Sequence, residues 1–259
     1  MTWLIFILGA ICAGFIQGLT GFAFGLVAMS FWAWVLPAQF CAPLVVIASF
    51  SGHILASFAE PHRSPSFGYQ IVLPYLIAGV IGLPLGIYLL DFIQQDLFRL
   101  GLGLFLCVWS PLMLLQPQFS YFKQLGSRSD SLIGFAAGIL GGIGGLSGAL
   151  PSVWMMLKQL PKAQQRYISR HFNFALQIFT LIGYAYSGHL QQVSWLHAVI
   201  LIVSIAIPAM LGAKLFYKIS EQQFKKILLC LLFCSVLACC YYYAVGRCTN
   251  GLILSKLFK

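Results

Sequence analysis

The stretch Gly134-Phe-Ala-Ala-Gly138-Ile-Leu-Gly141-Gly142-Ile-Gly144-Gly145-Leu-Ser147-Gly148-Ala-Leu-Pro151 limits this chain more than any other. It is apolar enough for lipid, yet it holds seven glycines in fifteen residues. Inside a helix each Gly costs roughly 1 kcal/mol against Ala. In a bilayer, broken backbone survives only where protein buries it or water reaches it. The remaining use of such spacing is close helix packing through small residues. The pattern occurs twice. Gly14-Phe15, Gly18, Gly21 and Gly25 echo Gly134-Phe135, Gly138, Gly141 and Gly145 at a constant offset of 120 positions. Pro37 and Pro161 then close the two stretches at an offset of 124. The reading is an internal duplication in which each copy opens with a glycine-broken apolar segment.

Composition assigns the medium. Sixty per cent of residues are apolar and 8% charged, against about a quarter charged in a soluble domain. Mean hydropathy is +0.91. Several apolar runs exceed the ~18 residues that mark a spanning helix. An all-α polytopic membrane protein follows. The net charge of +10 comes from short connectors and helix ends, where basic residues encode topology, so no nucleic-acid partner is expected. Eight cysteines form no Cys-x-x-Cys pair, and most (Cys12, Cys41, Cys107, Cys230, Cys234) lie in apolar runs, so neither metal nor cofactor is expected. The first Lys or Arg is Arg63, so no cleaved signal peptide is expected either.

Residues 3–36 as one straight helix would reach ~50 Å, against a hydrocarbon core of ~30 Å. The break is expected at Gly18-Leu-Thr-Gly21. The first repeat is 1–116: a hairpin at 3–36 and helices at 38–59, 69–90 and 97–116. A cytoplasmic linker, 117–130, leads to the second repeat, 131–245: a hairpin at 131–157 and helices at 164–187, 193–213 and 222–245. A basic tail occupies 246–259. If each broken segment crossed once, Lys and Arg would divide almost evenly between the two sides. If each returns to its own side, Arg63, Lys123, Arg128, Lys158, Lys162, Lys214, Lys218, Lys225 and Lys226 share one side. Arg99, Arg247, Lys256 and Lys259 fall on the other. The positive-inside rule favours the second arrangement. It gives each half odd parity, hence two inverted repeats, each a re-entrant hairpin plus three transmembrane helices, with both termini outside. Broken helices in inverted repeats are a secondary-transporter architecture.

The two Gly-Phe-x-x-Gly openings, the Gly141-Gly142-x-Gly144-Gly145 run, Leu160-Pro161-Lys162-Ala163 and the four-plus-four hydropathy plan resemble the TauE/SafE family over about residues 5–245. The resemblance implies a secondary transporter, an exporter of sulfite, organosulfonates or related small anions, coupled to protons and placed in the bacterial plasma membrane. Many relatives carry Thr-Ser after Lys-Ala, where this chain reads Gln164-Gln165-Arg166, and the first repeat reads Pro37-Ala38-Gln39.

On the expected helix 164–187, Arg166, Arg170, Asn173 and Gln177 share one face. An Arg at mid-membrane costs ~2.5–3.5 kcal/mol on insertion scales, so it faces a cavity, finds a partner or snorkels to the surface. No Asp or Glu lies in a predicted helix interior of this half, and guanidinium binds oxyanions bidentately. An offset of 124 sets Ser49 against Asn173 and His53 against Gln177, giving helix 38–59 the stripe Ser49, His53, Ser57. His53 is a candidate proton carrier or a packing residue; His171, His189 and His197 read as packing residues. Thr20, Ser147 and Ser152 sit among glycines at the hairpin tips, where Gly25, Gly142 and Gly145 allow backbone N–H groups to approach an anion. The candidate substrate-binding set is Arg170, Asn173, Gln177, Ser49, His53, Thr20, Ser147, Gly142 and Gly145, with a small anion, a coupling proton and the bilayer as partners. No nucleophile–base pair or paired carboxylates appear, so no enzyme is expected. An intramembrane enzyme, an assembly scaffold or an anion channel of the same fold are the alternatives. No Gly-x-x-x-x-Gly-Lys-Ser/Thr loop offers ATP coupling.

Overall fold

The structure, a computed structural model, describes residues 2–33, 36–59, 67–115 and 126–218. The helix expected at 222–245, the tail, the loop 60–66 and residues 117–125 lie outside the described residues. Every regular element among the described residues is helical. The first half contains α1 (Thr2–Thr20), α2 (Phe24–Trp32), α3 (Ala38–Phe58), α4 (Leu73–Phe92) and α5 (Gln95–Leu115). The second half contains α6 (Ser127–Gly144), α7 (Ala149–Leu157), α8 (Lys162–Tyr186) and α9 (Trp195–Phe216). Four helices among the described residues are long and apolar enough to cross a membrane: Trp3–Thr20, Ala38–Phe58, Leu73–Phe92 and Trp195–Phe216.

Helix α4 exposes Leu73, Ile77, Ile81, Leu85 and Tyr88, a continuous apolar stripe. Helix α9 exposes Leu196, Val199, Val203, Ile207 and Leu211 in the same way. Stripes of this size facing outward suit lipid and not water. The opposite faces of these helices are built for close contact.

The two broken segments fold back on themselves. Gly21 (φ +81°) ends α1 and Gly145 (φ +67°) ends α6, both in the left-handed region that disfavours any residue with a Cβ. The helices that follow, α2 and α7, have nine residues each, ~14 Å, too short to cross a ~30 Å core. At the far end of the first hairpin, Trp32 Nε1 donates to the Phe6 carbonyl at 3.2 Å. In the second, Trp154 Nε1 and Lys158 Nζ reach Asp130 Oδ1 at 2.7 and 2.6 Å. The left-handed glycines revise the sequence register. Gly21 corresponds to Gly145, not Gly141, because the left-handed glycine lies seven residues past Gly138 in the second copy and three past Gly18 in the first. That difference is one helical turn, and it accounts for the offset changing from 120 to 124.

Contacts sort the helix ends into two groups. At one end Tyr75 Oη donates to Asp130 Oδ1 at 2.7 Å, beside Lys158, and Lys162 Nζ donates to the Phe216 carbonyl at 3.1 Å. At the other, Gln95 and Arg99 of α5 donate to the Ala33 carbonyl, while His197 stacks on Trp3 at 4.9 Å. Arg128, Lys158, Lys162, Lys214 and Lys218 therefore belong to one end and Arg99 to the other. The helix containing Asp130 begins at Ser127, inside the span read from sequence as linker, because Asp130 is held by three donors.

Helix α1 packs most extensively on α9, and α6 on α4, so each broken segment's first arm is held by the other half of the chain. The contacts match position by position. A Cβ on Gly18 would lie 2.0 Å from the Ala209 carbonyl oxygen, and one on Gly138 2.0 Å from that of Gly79. Gly14 meets Ile205 as Gly134 meets Tyr75, and Gly212 meets the Phe15 carbonyl as Gly82 meets that of Phe135. Residues 75, 79 and 82 thus answer to 205, 209 and 212, an offset of 130. Gly138→Ala should cost at least about 1–3 kcal/mol, since the new methyl meets backbone that cannot rotate away. Gly101→Ala, whose Cβ meets nothing within 4 Å, should be neutral or stabilising by up to about 1 kcal/mol. Thermal unfolding in detergent separates the two; equal stabilities would contradict the packing described.

Candidate functional site

Two helix ends meet inside the bundle. A Cβ on Gly25 would lie 2.3 Å from the Gly145 carbonyl oxygen, and one on Gly148 2.5 Å from Phe22 Cβ. The tips of the two hairpins therefore touch, and polar side chains of α3 and α8 line the same region.

Each tip is held by a particular arrangement of polar groups. Thr20 Oγ1 donates to the Ile16 carbonyl at 2.8 Å and accepts from the N–H groups of Phe22 and Ala23 at 3.3 and 3.2 Å. Its hydroxyl thereby caps the restart of the chain after the break. At the second tip, Gly145 N–H returns to the Gly141 carbonyl at 2.8 Å and Leu146 N–H to that of Leu140 at 3.3 Å. Tyr184 Oη, fully buried, donates to the Gly142 carbonyl at 2.6 Å.

Arg166 neither snorkels nor faces open space. It is buried, and its Nη1 donates to the Gly18 and Leu19 carbonyls at 2.8 and 2.5 Å. Its guanidinium also lies over the Phe216 ring at 4.1 Å. The C-terminus of α1 carries partial negative charge and carbonyls with no intrahelical donor. A cation there answers both. Arg170, one turn further along α8, is half-buried, with its Cβ against Gly21.

Asn173 and Gln177 continue the face inward, both buried. Ser147 Oγ of the second tip donates to Asn173 Oδ1 at 2.7 Å, and Asn173 Nδ2 donates to the Ser169 carbonyl at 2.7 Å. Gln177 Nε2 donates to Ser49 Oγ at 2.5 Å. The structure thus brings Ser49, Asn173, Gln177 and Ser147 together, with His53 one turn beyond Ser49 on α3 and buried. Thr20 joins as a cap. Gly142 and Gly145 serve packing: a Cβ on Gly142 would meet Ile87 N at 2.6 Å, and one on Gly145 would meet Val45 at 2.6 Å. Ser152 bonds back to the Ala149 carbonyl at 2.8 Å, and His171 bonds to its own helix at Tyr167.

Gln17 belongs to this group and carried no weight in the sequence. Its Nε2 donates to the Ser49 carbonyl at 2.6 Å and to Ser49 Oγ at 3.0 Å. The available signal was an amide near the end of an apolar arm, directly before Gly18. Comparing the two copies hid it, because Ala137 occupies the matching position.

The family model described as sulfite exporter TauE/SafE matches residues 6–239. The chain belongs to the TauE/SafE family. No curated relative and no solved structure matches it. TauE/SafE membership together with the apolar helices makes the chain an integral, multi-pass membrane transporter of the sulfite and anion exporter type. In this TauE/SafE chain the buried polar cluster lies where the hairpin tips meet.

Arg166→Met should destabilise the protein by about 2–3 kcal/mol, because two carbonyls of a buried helix end lose a charged donor. Arg166→Lys should recover part of that, having one compact ammonium in place of a fork. Denaturant unfolding in detergent measures both. A loss below about 0.5 kcal/mol for Arg166→Met would mean that water or another group already serves those carbonyls.

Proposed function

We propose that this chain is a secondary transporter that exports a small anion, sulfite or an organosulfonate, through a site between the two hairpin tips. The observation that carries the reading is the meeting of the two glycine-broken tips beside Arg170, Asn173 and Ser147. Cation, amide, hydroxyl and the N-terminus of a broken helix are the groups that recognise an oxyanion.

The two halves act as inverted repeats. The exchange of first arms, α1 on α9 and α6 on α4, supports this, because equivalent glycines make equivalent contacts in both halves. Both arms of each hairpin return to the end they started from, so the hairpins are re-entrant and each half has odd parity. The end holding Arg128, Lys158, Lys162, Lys214 and Lys218 is cytoplasmic by the positive-inside rule, and the N-terminus is outside. The C-terminus follows on the same side if the expected helix 222–245 spans. Alternating access arises as one repeat rocks against the other around the joined tips. His53, buried one turn from Ser49, is the candidate carrier of the coupling proton. The bacterial plasma membrane is the setting.

Arg170 holds the anion. Proteoliposome flux with sulfite, sulfonates and carboxylates, with and without a pH gradient, tests the reading. Transport of at least one of these should rise with the gradient. Arg170→Gln should abolish flux at normal membrane expression, while Arg170→Lys keeps partial flux because the charge stays and the bidentate fork goes. Wild-type affinity in Arg170→Gln would remove Arg170 from the site, and failure of every anion to move would overturn the transporter mechanism.

A further inference from the structure

The orientation of one buried amide carries a consequence for substrate choice. Gln17 is 1% exposed, and its Nε2 donates to the Ser49 carbonyl at 2.6 Å. A carbonyl oxygen only accepts, so the amide nitrogen must face Ser49 and the amide oxygen must point away. That oxygen has no hydrogen-bond partner among the described residues. A buried acceptor left unsatisfied costs about 1–3 kcal/mol. Nearby, Gln177 Oε1 and His53 Nε2 are also buried without a partner among the described residues.

Gly52 of α3 lets that amide oxygen approach the helix closely. A Cβ at Gly52 of α3 would lie 2.4 Å from that oxygen. Gln17 is linked to the proposed anion site through Ser49 Oγ, which Gln177 also reaches. Gln17 is one residue before Gly18, whose carbonyl Arg166 holds, and Gln177 is one turn of α8 from Asn173.

We propose that Gln17 is a specificity-determining residue whose Oε1 accepts a hydroxyl or amino hydrogen carried by the transported anion. The inference rests on the anion site proposed above and names its substrate class: oxyanions that also carry a hydrogen-bond donor. The anionic head sits toward Arg170 and Asn173, and the donor end turns to Gln17. An oxyanion without a donor sets acceptor against acceptor there. A site with a buried polar group rejects the analogue that leaves the group unpaired far more strongly than it rejects a change of size.

Two probes isolate the effect. Ethanesulfonate and 2-hydroxyethanesulfonate share charge and head group and differ by one hydroxyl. Isothermal titration of the purified full chain in detergent should show 2-hydroxyethanesulfonate binding at least about tenfold tighter. In Gln17→Met, which keeps the length and removes the acceptor, the two affinities should converge to within about twofold. Equal affinities in the wild type overturn the inference whether or not Gln17→Met folds, and so does a preference that persists in a folded Gln17→Met. If both probes bind equally, the anion site survives and only the role of Gln17 falls. If neither binds, while sulfite or a carboxylate moves in the flux assay, the organosulfonate class falls and the transporter stands.

Discussion

A helix that stops inside lipid leaves carbonyls without donors and a partial negative charge with nothing to answer it. Two of the helices here stop in this way, and the protein around them is arranged to satisfy those ends. At α1 the answer is a guanidinium, Arg166, brought from the second half of the chain to the Gly18 and Leu19 carbonyls. At α6 it is a phenol, Tyr184, on the Gly142 carbonyl, together with the returning N–H groups of Gly145 and Leu146. Both supports come from α8. That helix therefore ties the tips together, and its polar face lies beside both of them.

Glycine spacing lets the ends come close enough. Gly18 and Gly138 sit against carbonyl groups of Ala209 and Gly79, so any side chain would push the arms apart. Backbone approach of this kind replaces the hydrophobic driving force that helices lack in lipid. The residues facing outward on α4 and α9 remain large and apolar, so one helix presents glycine to protein and leucine or isoleucine to lipid. At the basic end, Asp130 gathers Tyr75, Trp154 and Lys158 on one carboxylate oxygen, fixing both arms of the second hairpin to α4.

Much of this was legible from sequence. The membrane class followed from the apolar runs, and the breaks from Gly18-Leu-Thr-Gly21 and the glycine run after Gly138, because glycine in lipid has few uses. The shared face of Arg166, Asn173 and Gln177 followed from helical spacing alone. Partners at long range did not. Nothing local links Arg166 to Gly18, 148 positions earlier, so its helix-capping role stayed hidden behind the snorkelling alternative. Gln17 stayed hidden because its counterpart is Ala137, and the duplication drew attention to what the copies share. The extra turn before Gly145 was visible only as a change of offset, since periodicity does not say which glycine turns left-handed.

The central claim is that the joined tips form the anion pathway and are not a dry packing interface. Cysteine accessibility at Ser147 tests it most directly, because Ser147 belongs to the second tip and bonds to Asn173. In a cysteine-free background that retains flux, Ser147→Cys should react with a small water-soluble thiosulfonate reagent, and a transported anion should slow the reaction. A transport-competent Ser147→Cys protein that stays inert to the reagent, with and without that anion, would contradict the claim.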